Sequence, residues 1–308
     1  MPVKIWVGTT DTDPTVAGNW DPSGVPADND SIIVPATTVV AMAGADLTSS
    51  GTIQFEGFDI EEGYGQTIGS SSTYLQIDMK TGAGVFNDVN IAATAQVFLD
   101  IDNYGTINVT RASTASTGQF GVNLIGLHDD ATATDGIGDI SINLSSSTGT
   151  VSIGANADED MEVIRILVTE GTVTIGSAIT EDDDNAAPDI EVSGGTIFCS
   201  APMGVVTING GNYSHQGSAT LALLQLWNGT VFYESSGTLT LAQISGTIDM
   251  SNNLASRTFS VVVLYRGGTI RDPYKTTTFS ADIDVTGVSL ANVTLDLGTH
   301  ITIARGTI

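Results

Sequence analysis

The hexapeptide GTINVT, residues 105–110, returns along the chain as GTVSIG from Gly149, GTVTIG from Gly171, GTIFCS from Gly195, GTLTLA from Gly237 and GTIDMS from Gly246. Its alternation sends Val and Ile to one face and Thr, Ser or Asn to the other, the period-two signature of a half-buried strand. The leading glycine supplies a tight corner. One such strand cannot bury its apolar side alone. The recurrence therefore asks for neighbours stacked about 4.8 Å apart around a shared aliphatic interior.

Spacing carries the argument from strand to fold. Glycine and threonine followed by a β-branched residue or leucine occur at Gly51, Gly105, Gly149, Gly171, Gly195, Gly229, Gly237, Gly246, Gly268 and Gly306. The steps from 149 to 171, 171 to 195 and 246 to 268 are 22, 24 and 22 residues, and 105 to 149 is 44, read as twice that length. Such a period marks a solenoid. The shorter steps 229 to 237 to 246 suit successive faces of one coil. The pattern predicts an all-β chain folded as a right-handed parallel β-helix (β-solenoid). Coils of about 22 residues over about 260 residues would make about 12 turns. A β-sandwich or jelly roll is the alternative, but it shows turn signals every 8–12 residues rather than a recurring rung.

Other runs fit the same architecture, among them residues 73–79, 96–102, 139–145, 221–227, 259–265 and 288–298. Residues 159–169, EDMEVIRILVT, admit a helical reading, but β-branched residues dominate the IRILVT end, which reads as strand.

Charged residues make up 14% of the 308 positions, and the formal net charge is −26 with only nine Lys and Arg. Without a basic footprint, neither a nucleic-acid partner nor an anionic membrane is expected. The acidity reads either as solubility or as cation binding. The single cysteine, Cys199, lies in a strand-like run and reads as a buried, inert thiol with no disulfide partner. The first residues show no charged stretch followed by an apolar one, so folding in a cytoplasm is expected.

Three acidic clusters recur: His128-Asp129-Asp130, then residues 158–160 and 181–184. On adjacent coils Asp158, Asp160, Asp182 and Asp184 would supply oxygens to Ca²⁺; the other reading is a solvated acidic ridge. No G-x-S-x-G, H-E-x-x-H, Walker or C-x-x-C motif occurs, so no catalytic residue and no cofactor other than that Ca²⁺ is assigned, and an enzyme is not expected. Tyr213 and His215, in GGNYSHQGS, read as a turn.

Residues 5–35 depart from the rung pattern. Trp6 and Trp20 bracket a turn-rich loop and read as lids over the first coil, with sugar stacking as the sharper alternative. The predicted division is a capping or attachment module at 1–45 and a β-helix domain at 46–308. Trp6, Gly8, Asn19, Trp20, Val25, Pro26 and Asp30 form a W-x-G, N-W, V-P-x-x-x-D pattern. It resembles an N-terminal module at the start of many tailed-bacteriophage virion proteins and related bacterial surface β-helix proteins. The resemblance implies a structural protein at the virion surface, capsid decoration or head fibre, made in the host cytoplasm. It also implies a homo-oligomer, a trimer by analogy with β-helical phage proteins, contacting other virion or capsid proteins. A tailspike-like protein that binds or depolymerises a host-surface glycan is the alternative, and a bacterial surface adhesin a further one.

Overall fold

A computed structural model describes residues 2–82, 85–114, 120–128, 138–144, 149–154, 161–177, 179–180, 187–285, 289, 292–297 and 303–304. The chain is a right-handed parallel β-helix, as the rung pattern predicts, with about ten turns rather than the roughly twelve that a 22-residue coil would give. No α-helix occurs among the described residues, and Ala17–Asn19 forms a 3-10 turn. Two compact units divide the chain, Met1–Ala186 and Ala187–Ile308.

In the first unit, one parallel sheet stacks Ser31–Val34, Gly57–Ile60, Val89–Ala92, Thr106–Arg111, Asp139–Asn143 and Arg165–Glu170. The second stacks Leu75–Asp78, Val97–Asp102, Val122–His128, Thr150–Ile153 and Thr172–Ile175. Alternation decides which side chains go in. Ile32, Phe58, Val89, Ile107, Ile140 and Ile166 are partners in register, and all are fully buried. Opposite them runs the column Leu75, Leu99, Leu124, Ile153 and Ile175. Each buried aliphatic side chain contributes about 1.5–3 kcal/mol of hydrophobic stabilisation. Polar residues take the outward positions and bond along the stack: Asn90 donates to Asp59 at 2.6 Å, and Asn108 to Asn90 at 3.0 Å.

The second unit repeats the plan. Asp189–Val192, Met203–Ile208, Leu221–Leu226, Thr238–Ile244 and Arg257–Leu264 form its first sheet; Thr196–Cys199, Asn212–His215, Thr230–Tyr233, Thr247–Asp249 and Thr269–Arg271 form its second. Residues 165–170 are strand, as their β-branched content predicts.

The repeat is less regular than its glycines suggest. Gly105 and Gly237 open strands of the first sheet, whereas Gly149, Gly171, Gly195, Gly229, Gly246 and Gly268 open strands of the second. The step from 105 to 149 therefore crosses between sheets and is not two coil lengths. Thr230 and Thr247 are partners only 17 residues apart, and Asn212 pairs with both Thr196 and Thr230 at separations of 16 and 18. Gly51 opens no strand at all. Coil length varies because corner loops, which make few ladder bonds, absorb the difference while the strands hold register.

Candidate functional site

Three places gather polar or aromatic chemistry. At the N-terminus, Val3–Trp6 pairs in parallel with Ser31–Val34 on one side and antiparallel with Trp20–Asp21 on the other. The reversed strand ends the first sheet. Trp6 and Trp20 face each other as register partners, edge to face with ring centroids 5.2 Å apart, at 0% and 2% exposure. Burial leaves neither indole a free face for a sugar. Their N–H groups bond carbonyls, Trp6 that of Val40 at 3.2 Å and Trp20 that of Pro14 at 2.7 Å. Asn19, fully buried, ties the loop: its Oδ1 accepts from the Thr10 and Asp11 amides, and its Nδ2 donates to the Asp11 carboxylate and the Asp13 carbonyl. Asp30 accepts from the Ala27 amide at 2.9 Å across the turn that enters the next strand.

The second place lies inside the second unit. The segment GGNYSHQGS is not a turn: Asn212–His215 is a rung in which Asn212 stands where its neighbours carry threonine, and Tyr213 and His215 are both fully buried. Aligning the Gly-Gly of residues 210–211 with the glycine corner of the repeat reveals the rung. Cys199, His215 and Tyr233 form an inward column. The His215 ring lies 5.9 Å from that of Tyr213 and 5.3 Å from that of Tyr233. His215 Nε2 donates to the Ala219 carbonyl at 3.2 Å, so its Nδ1 is the acceptor for the Tyr213 hydroxyl at 3.1 Å. Desolvation pushes the His215 pKa down to about 4 and the Cys199 thiol up to about 11, and raises both tyrosines. These groups are neutral and sealed from solvent, which suits packing rather than chemistry. Just beyond them the buried Arg257 guanidinium donates to the carbonyls of Tyr233, Asn253 and Ala255.

The third place is the outer surface of that same sheet. Phe198, Ser214, Phe232, Asp249, Arg271 and Asp296 are successive partners in register, so they form one outward column. Asp249 and Asp296 flank Arg271, at 3.2 and 3.8 Å. At the other end, Phe198 and Phe232 stand on either side of Ser214 and wall a cavity of about 210 Å³. Thr196, Asn212, Glu234 and Asn252 complete its rim. Three neutral donors hold the Glu234 carboxylate: Ser214 Oγ at 3.3 Å, Gln216 Nε2 at 3.2 Å and Asn252 Nδ2 at 3.2 Å. Sequence reasoning passed over these residues. Their signal lies two places after the rung threonine, where Ser152, Thr174 and Asp249 are polar but Phe198 and Phe232 are not.

Asp158, Asp160, Asp182 and Asp184, the candidate Ca²⁺ ligands, lie outside the described residues, as do Asp129 and Asp130. Among the described residues no group of three or more His, Cys, Asp or Glu is arranged to hold a metal ion. No family model, curated protein or solved structure matches the chain.

Proposed function

We propose that the chain is a non-enzymatic structural protein of a tailed-phage virion, serving as capsid decoration or head fibre at the particle surface. The observation that supports this reading most is the construction of the N-terminal module. Trp6, Asn19, Trp20 and Asp30, four of the residues that carry the resemblance, are buried and joined to one another or to their loop. The module adds its own strand to the solenoid sheet and ends it with a reversed one. A two-residue reversed edge strand is a poor template for runaway strand addition. That property suits a protein displayed in many copies on one particle.

The net charge of −26 acts in the same direction by keeping crowded copies apart. By analogy with β-helical phage proteins, the working unit is a homotrimer. The test is immunogold labelling of purified particles together with light scattering of the isolated protein. Labelled particles and a trimeric mass are expected; recovery solely as a free monomer in the lysate supernatant would refute the proposal.

A further inference from the structure

We infer that the cavity between Phe198 and Phe232 is a binding site for one neutral, polyhydroxylated ring, a pyranose unit of a glycan. The inference stands apart from the virion reading, since it rests on the second sheet of the second unit and not on the N-terminal module.

The walls come first. The outward positions of this unit's second sheet are otherwise polar, yet Phe198 is 38% exposed and Phe232 half-buried two rungs away. An apolar ring on the outer face gains nothing from the core. Two of them flanking a serine leave a slot between backbones about 9.6 Å apart, twice the strand spacing. That slot admits a single six-membered ring. Phenyl rings on both sides select a ligand bearing C–H groups, such as the apolar face of a sugar.

The polar groups then narrow the chemistry. Ser214 is the floor, only 5% exposed, and its hydroxyl donates to Glu234. The three hydrogen bonds to Glu234 leave lone-pair capacity on a carboxylate with about four acceptor sites. Asn212 and Asn252, both exposed, add amide donors and acceptors at the rim. Acceptors beside a phenyl wall fit vicinal hydroxyl groups, which donate to one carboxylate while the ring stacks. An alkyl ligand would cover the carboxylate and leave it unpartnered, at a desolvation cost.

An organic cation would also place itself between aromatic faces and a carboxylate. The geometry argues against it: Glu234 is half-buried and already held by three neutral donors, an arrangement that suits short hydroxyl donors better than a methylated ammonium, which has no N–H to offer the carboxylate. An anionic sugar is disfavoured by Glu234 itself and by the overall negative charge.

The experiment is saturation-transfer NMR on the full chain with the methyl pyranosides of glucose, galactose and mannose, and with tetramethylammonium as the cation probe. One shallow slot predicts weak binding, so each probe is used at about 20 mM. Transfer to ring protons of at least one pyranoside is expected. It should fall about tenfold in the Phe198→Ala Phe232→Ala double variant and several-fold in Glu234→Gln, with Val39→Ala as the unaffected control. Should the double variant fail to fold, Glu234→Gln, on a half-buried polar edge, carries the test alone. Absence of transfer from all three pyranosides overturns the inference. So does undiminished transfer in a folded variant, or transfer from tetramethylammonium alone.

Discussion

Replacing His215 by glutamine isolates the cost of keeping an imidazole neutral inside the solenoid. Burial holds the folded pKa near 4, against an ordinary value of 6.5. The unfolded state therefore binds more protons than the folded state between those values, and unfolding free energy falls as pH drops through that window. Integrating the linkage from pH 7 to pH 5, where the folded imidazole is still mostly neutral and the unfolded one mostly charged, gives a loss of about 2 kcal/mol from this group alone. Other groups titrate too. Protonating carboxylates relieves self-repulsion in a chain of net charge −26 and pushes stability the opposite way. The variant separates the two effects, because glutamine keeps a donor for the Ala219 carbonyl and an acceptor for the Tyr213 hydroxyl but does not titrate. Urea unfolding of both proteins at pH 7, 6 and 5 reads the difference. The native chain should lose about 2 kcal/mol relative to His215→Gln across that range, most of it between pH 6.5 and 5. A difference independent of pH would show that His215 is solvated in the folded protein, and a relative gain on acidification that it is charged there; either would make the sealed inward column wrong.

Two further outcomes test the scaffold. Trp20→Ala removes a fully packed indole and strands the Pro14 carbonyl, so it should cost about 3–5 kcal/mol in urea unfolding; a cost near zero would mean that the two indoles do not hold the N-terminal module together. Gly217 and Gly211 both have positive φ, 73° and 77°, but an added Cβ meets nothing within 4 Å at Gly217 and the Gly195 carbonyl oxygen at 2.6 Å at Gly211. Gly217→Ala should therefore cost only the conformational penalty, about 1–2 kcal/mol, and Gly211→Ala distinctly more; equal costs would refute the close approach of successive corners.

The glycine-threonine repeat made the parallel β-helix legible because corner and alternation are both local properties. The burial of Ile107, Val173 and Ile197 follows from position in the rung alone. What stayed hidden depends on pairing across coils. Gly105 and Gly149 look alike in sequence yet open strands of different sheets, a distinction that only the closing of the coil makes. Asn212 concealed a rung because asparagine favours turns, and tertiary stacking overrode that preference. The Phe198–Ser214–Phe232 column could not be seen without register, since its members are 16 and 18 residues apart.

That unequal spacing also sets how the molecule can change length. Removing residues 212–229 would place Thr196 directly against Thr230, with every inward and outward position still in phase. The excision would bring Phe198 and Phe232 onto adjacent rungs, stacking the two rings and closing the slot while deleting neither. A cut one residue longer or shorter, if it fell within a strand, would instead turn that strand's buried side chains toward water. Whole coils are thus interchangeable modules for the core, but the outer groove depends on how many rungs separate its walls.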